Sequence, residues 1–357
     1  MTPHFTLRQW TISLVMIALL SGCATKPGIL FPPLPNSPRW PSPPDAPRIF
    51  YVGQFATSAD LKPGVNGFEA MGQAIFGKES AHSMLTPIAV CTDDADRMFV
   101  ADSNAQLVHV FDMKSRKYAI WKPGKNEPPF AQPVGIAWDP VYHRLLVSDS
   151  VASAIYVFDA KGKFNGKLGE GILQRPVGMA IDTSAETPGR IFVADAGAHQ
   201  VVVLGADGQL MQRVGSRGSA AGYFNFPTNV ALDSHGLLYV SDSLNFRVQE
   251  FDRNLQPLRQ FGKKGDMPGY FAEPKGIAVD SEQHVYVLDG QFENVQVFDA
   301  DGHVLMDFGE EGNGPGQFWL PTALFIDARD RIWIADTYNR RVQVFDYRKL
   351  PTGEVRP

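Results

Sequence analysis

The sequence predicts an all-β protein, a six-bladed β-propeller whose last blade is closed by a strand from the N-terminal side. Strand-like runs that end in aspartate recur six times, 46 or 47 residues apart. Each is preceded by a proline-led run and followed by a third run with alternating apolar residues, so each repeat holds about four short strands. The 33 glycines and 27 prolines supply the turns that such short strands need. A single four-stranded sheet cannot bury both faces. Packing six of them around an axis does so and leaves only short edges, which is the propeller solution for a period near 47.

In chain order, the first segment reads as an address. Arg8 is the only formal charge before position 23, and TISLVMIALL from Thr11 to Leu20 is a largely apolar run. It is too short to span a bilayer and fits the apolar part of a signal peptide. Leu20-Ser21-Gly22-Cys23 then resembles the lipobox of bacterial lipoproteins. The resemblance implies that residues 1–22 are removed and that Cys23 carries lipid. Ala24, where an aspartate would imply retention at the inner membrane, implies the outer membrane, with the domain facing the periplasm. Residues 23–47 hold the lipidated cysteine and the Pro-rich run PGILFPPLPNSPRWPSPPDAP, expected to be a semi-rigid spacer. Cys91, the second of two cysteines, lies in the apolar run IAVC and is expected to be a small buried hydrophobe.

The propeller is expected over 48–347, with a short tail at 348–357. Pro87, Pro133, Pro176, Pro227, Pro274 and Pro321 open the innermost strands, where a missing N–H is tolerated. Asp102, Asp149, Asp195, Asp242, Asp289 and Asp336 end the second strands. Third strands follow in LVHVFD, IYVFD, VVVLG, RVQEFD, NVQVFD and RVQVFD. Fourth strands end near Gly169, Gly215, Gly262 and Gly309. Blade three carries extra residues in TSAETPG, which has the composition of a hairpin loop. Blade six stops at Phe345-Asp346 with three strands. Arg48–Gly53 has the pattern of a fourth strand and is expected to complete it.

The runs EPKGIAVD and ADTYNRRVQVFD resemble the NHL repeat, and the resemblance extends over about Pro47 to Tyr347. It points to bacterial six-bladed NHL-repeat lipoproteins. It implies a binding platform or, less often, an enzyme. In that family an arginine five residues after the strand-end aspartate pairs with it. Arg247 and Arg341 match this pattern, whereas Leu107, Ala154, Gln200 and Asn294 depart from it.

A net charge of −5 without clustered Lys and Arg argues against a nucleic-acid surface. Two cysteines exclude a disulfide-dense scaffold and a Cys-rich zinc site. The six strand-end aspartates are read as turn-fixing acceptors of backbone N–H groups rather than as a cation ring. Phe130, Phe224, Phe271 and Phe318, each three residues before a strand-opening proline, are read as wedges between blades. Tyr223, Phe226, Tyr270 and Trp319 lie in the loops that join blades. They are expected to anchor a protein partner, with Lys263 and Lys264 as a polar rim.

Two classes of propeller enzyme place demands that these residues do not meet. An amidating lyase holds zinc on channel histidines, but no innermost strand carries one, and His143, His235 and His284 are spread over three blades. A calcium-dependent lactonase needs Glu, Asn and Asp in the channel. Only Asn229 fits, and Lys275 would oppose a cation. No catalytic residue, metal or cofactor is therefore assigned. The expected function is that of a monomeric, lipid-anchored, non-catalytic platform for an unidentified envelope protein. The alternative is a lactonase-like or lyase-like enzyme, or a small-ligand sensor, using the channel around Asn229 and Lys275.

Overall fold

The computed structural model describes residues 28–62 and 81–349. Six sheets of four or five strands follow one another along the chain; the first five are laid down strand by strand from the inside out, and the sixth takes its outer strands from the N-terminal side. Blade one consists of Pro87–Thr92, Arg97–Asp102, Leu107–Asp112 and Lys117–Trp121. The innermost strands of the other blades are Pro133–Asp139, Pro176–Ile181, Pro227–Leu232, Pro274–Val279 and Ala323–Ile326. Each innermost strand contacts the next, and the sixth contacts the first, so the ring is closed. Five of the six prolines are the first residue of their strand. Pro321 instead lies two residues ahead of its strand. In those five blades the proline faces the strand-end aspartate across the sheet, as in Pro87 opposite Asp102, and the register then slips. Such a bulge bends the strand and re-aims the following side chain.

The cores lie between blades. Phe192, Val201 and Val203 of blade three pack with Val230, Leu238 and Phe251 of blade four in one buried cluster. Phe224, Phe271 and Phe318 are the expected wedges. They are fully buried and meet Phe251, Phe298 and Phe345 at ring separations of 5.7, 5.8 and 6.0 Å. Phe130 similarly meets Tyr156, its ring tilted, at 4.7 Å. The glycines that end the preceding strands make this possible. Gly215, Gly262 and Gly309 have φ of 85°, 88° and 89°, and a Cβ there would stand 2.3–2.5 Å from the wedge ring. Cys91 is buried, and burial pushes its thiol pKa up, which suits an inert core residue.

Blade six is completed from the N-terminal side. Ile49–Phe55 pairs antiparallel with Arg341–Tyr347, placing Tyr51 opposite Phe345 and Phe55 opposite Val342. The expected spacer of residues 23–47 needs correction, because part of it folds onto the propeller. Arg39–Trp40 adds a fifth strand beside Phe50 and Ile49. The Trp40 ring lies 5.7 Å from Phe308 and 5.9 Å from Phe345, and Phe31 meets Phe55 edge-on at 5.3 Å. The prolines bar regular structure over most of this stretch, but its two aromatic residues find apolar seams to fill. Cys23 and Ala24 lie outside the described residues. No helix among the described residues is long and apolar enough to cross a membrane.

Candidate functional site

One hydrogen-bond pattern organises the face that carries the blade-joining loops. In every blade the strand-end aspartate is fully buried and accepts the backbone N–H of the residue two before the proline. These N–H groups belong to Leu85, Ala131, Gln174, Asn225, Ala272 and Trp319, at 2.6–2.8 Å. In return, a backbone N–H just after each aspartate donates to the joining loop at 3.0–3.1 Å, as Leu244 does to Asn225 and Tyr338 to Trp319. The aspartates are thus the expected turn-fixing acceptors. Their role is wider than expected, since each ties two loops together on one face.

Arg247 and Arg341 reinforce this in blades four and six. Their Nε atoms lie 2.8 and 2.7 Å from Asp242 and Asp336, and their other nitrogens reach carbonyls of the joining loops. Gln249, Gln296 and Gln343, which sequence reasoning missed, clamp the same loops. Each donates to the carbonyl of Tyr223, Tyr270 or Gln317 and accepts from Gly222, Gly269 or Gly316, at 2.6–2.9 Å. All three stand seven residues after the aspartate, a spacing visible in the repeat.

His109 occupies that position in blade one. Its Nε2 lies 3.1 Å from Asp102 and its Nδ1 2.6 Å from the Tyr118 hydroxyl. Burial pushes the Asp102 pKa up, but the His109 contact and the N–H groups of Leu85, Ala105 and Thr86 outweigh it, so the net shift is downward. A carboxylate whose folded pKa is lowered contributes stability above the ordinary carboxylate range and loses it as pH falls through the folded value. Asp102→Asn should therefore lower stability by about 1–3 kcal/mol at neutral pH. It should also flatten the decline in stability below about pH 4, where free carboxylates titrate. Urea midpoints measured from pH 7 to pH 3 check this, and equal acid slopes in both proteins would refute it.

The structure does not gather the expected aromatic anchors into one patch. No ring contact joins any two of Tyr223, Phe226, Tyr270 and Trp319. Tyr223 is exposed beside Gly218. Tyr270 is half-buried against Gly265, with the Lys263 ammonium 4.4 Å above its ring. Lys264 lies over Phe246 at 5.3 Å. Phe226 turns inward and lines the channel. Trp319 is 51% exposed and meets Tyr338, which is 57% exposed, at a ring separation of 5.5 Å. Tyr338 was not singled out from the sequence. It stands two residues after its aspartate, as do the exposed Val151 and Leu244 in blades two and four. Trp319 and the exposed Leu85 stand two residues before their prolines. The aspartate stitch brings these two positions together, so the register of the repeat could have found them.

The channel is a cavity of about 770 Å³ lined by the innermost strands of all six blades. The residue after each strand-opening proline faces it: Ile88, Val134, Val177, Thr228, Lys275 and Thr322. Asn229 also lines the cavity. Its Oδ1 accepts the Val230 N–H at 2.9 Å, and its side chain fills the space above Gly178. The Lys275 ammonium is 3.1 Å from Glu273. No group of three or more His, Cys, Asp or Glu stands together as a metal site among the described residues.

This geometry defines the class: a closed six-bladed β-propeller with NHL-type repeats. Residues 224–251 match the NHL repeat, and residues 278–355 match DUF5128, a family described as a 6-bladed beta-propeller. The chain is 26% identical over 131 residues to Protein brain tumor of Drosophila melanogaster, covering 36% of this chain and 12% of that protein. It thus spans a small part of that relative's length. Among solved structures, a gluconolactonase from Xanthomonas campestris is similar with a TM-score of 0.60, at 17% identity over 91% of this chain and 99% of that one. Virginiamycin B lyase from Staphylococcus aureus is similar with a TM-score of 0.54, at 11% identity over 74% and 95%. An auxiliary nutrient binding protein from Bacteroides thetaiotaomicron is similar with a TM-score of 0.56, at 12% identity over 74% and 70%. At these identities the likeness is one of fold.

Proposed function

We propose that this protein is a lipid-anchored platform of the bacterial envelope that docks another envelope protein on its loop face. The exposed Trp319–Tyr338 pair is the observation that carries the reading. Paired, exposed aromatic residues on a rigid support are typical interface anchors. Leu85, Val151 and Leu244 extend apolar surface to other blades of the same face. Because the aspartate stitches hold these loops, docking costs little ordering entropy. The LSGC run ending at Cys23 supports lipid attachment, and Ala24 supports the outer membrane, facing the periplasm.

Crosslinking in native membranes, followed by affinity purification, tests both parts of the proposal. The parent chain should bring down a stoichiometric partner. Trp319→Ala with Tyr338→Ala should reduce its recovery by roughly tenfold or more, as loss of a hot spot does. Cys23→Ser should move the protein from the membrane fraction to the soluble one. Undiminished recovery with the double variant would sink the docking surface, and a membrane-bound Cys23→Ser would sink the anchor.

A second reading has the channel cavity in its favour: an enzyme of the lactonase or amidating-lyase kind, or a ligand sensor. Lactone hydrolysis by the purified chain, lost when Val177→Trp fills the channel, would replace the platform reading.

A further inference from the structure

We infer that the loop-side mouth of the channel binds a small amphipathic anion, with a carboxylate held between Arg175 and Lys275 and an apolar body against Ile88, Val134, Val177 and Phe226. The channel wall is two-sided. In blades one to three the residue after the proline is aliphatic, and in blades four to six it is Thr228, Lys275 or Thr322. The two hydroxyls are already committed. Thr228 donates to the carbonyls of Pro274 and Lys275, and Thr322 donates to that of Ile88. The charged donors at this mouth are Arg175 and Lys275, beside the neutral amide groups of Gln132 and Asn229. Arg175 lines the cavity, is exposed, and has no side-chain partner among the described residues. The Lys275 ammonium is paired with the half-buried Glu273 carboxylate, which leaves ammonium protons for a second acceptor.

Both cations are given room by a glycine that their blade alone carries at that position. Directly after the strand-end aspartate the other blades have Ser103, Ser150, Ala196, Ser243 and Thr337, but blade five has Gly290. A Cβ there would stand 2.9 Å from Lys275 Cδ. One residue further on, blade three alone has Gly197, and a Cβ there would stand 2.8 Å from Arg175 Cβ. Phe226 is held in place from behind. Its φ is 55°, a region costly for a bulky residue. His199 accepts its N–H at 3.1 Å and meets its ring edge-on at 4.6 Å. The cavity volume of about 770 Å³ falls in the range of small-molecule sites. At the opposite end of the strands Asp93, Asp94, Asp96 and Asp327 line it with Arg329 and Arg331, and both arginines are already paired, Arg329 with Asp96 and Arg331 with Asp346, so the loop-side mouth is the side that favours an anion.

Titration calorimetry on the purified chain, with no partner present, tests this separately from docking. The probes are 4-phenylbutyrate, 4-phenylbutanol and 4-phenylbutylammonium, which share one apolar body. The carboxylate should bind saturably, the alcohol roughly tenfold more weakly or worse, and the ammonium not at all. Arg175→Ala and Lys275→Met should each weaken carboxylate binding by roughly tenfold with unchanged melting temperature. Val177→Trp should block it. Absence of saturable carboxylate binding, equal binding of the three probes, or binding indifferent to both charge variants would overturn the assignment.

Discussion

Deletion of the closing strand, Ile49–Phe55, is expected to abolish cooperative folding of the whole propeller. Ile49, Tyr51 and Phe55 are all at most 6% exposed. Phe55 also reaches across the seam to Phe111 of blade one, at a ring separation of 5.4 Å. Truncating one such buried side chain costs about 2–5 kcal/mol. Removing three, with the whole strand ladder to Arg341–Tyr347, exceeds the stability of roughly 5–15 kcal/mol that most proteins possess. The turn of blade five loses a fastening as well, because Arg48 at the head of the strand pairs with Glu282 at 2.9 Å and Tyr347 bonds both. A graded version keeps the test readable. Phe55→Ala should fold, with stability lower by about 3–5 kcal/mol. Urea unfolding followed by circular dichroism measures both, and a deletion variant with an unchanged midpoint would refute closure by this strand.

Arg341→Ala should be among the most damaging single substitutions outside the apolar core. The guanidinium is buried and spends five bonds. They reach Asp336 at 2.7 Å, the carbonyls of Asn313, Gly314 and Gln317 at 2.8–2.9 Å, and Gln54 of the closing strand at 2.8 Å. Removing it leaves the fully buried Asp336 carboxylate without its cation, although neutral donors from Trp319, Asn339 and Gln343 remain, and takes a donor from three carbonyls. Breaking a buried pair in this way costs about 3–5 kcal/mol. Arg341→Lys should recover only part of that, since an ammonium cannot present the fork of donors. Gln200→Ala, at the same repeat position in blade three, should cost under about 1 kcal/mol, in the range of surface changes. Urea midpoints for the three variants decide the matter, and an Arg341→Ala loss no larger than that of Gln200→Ala would remove the brace from the account.

The repeat grammar was legible because it is local. The proline, the aspartate and the ring wedge each act on backbone within their own repeat. Six blades and the missing strand could therefore be read from spacing alone, and the two Arg–Asp pairs followed from the resemblance to the NHL repeat. The unread parts concern side chains whose surroundings come from other loops or other blades. Trp319 and Tyr338 lie in separate loops of blade six, and only the Asp336 stitch sets them side by side. Phe226 looked like its neighbour Tyr223 in sequence, yet its positive φ sends it into the channel while Tyr223 stays outside. The Pro-rich stretch looked like a spacer because prolines forbid regular structure. Trp40 docks there because blades five and six leave an apolar seam that no local pattern announces.

By itself, then, the sequence determined the fold, the blade count, the closure and the structural work of the aspartates. The fold, the count and the aspartates rest on periodic patterning and on hydrogen bonds that close within one repeat, and the closure was legible because the last repeat is one strand short and Ile49–Phe55 carries the missing pattern. The tertiary structure alone decided which aromatic residues face solvent, which line the channel, and that Arg175 and Lys275 share one mouth. Exposure is set by how each loop folds on its aspartate, and the grouping of Arg175 and Lys275 at one mouth by ring closure, which brings together residues of different repeats.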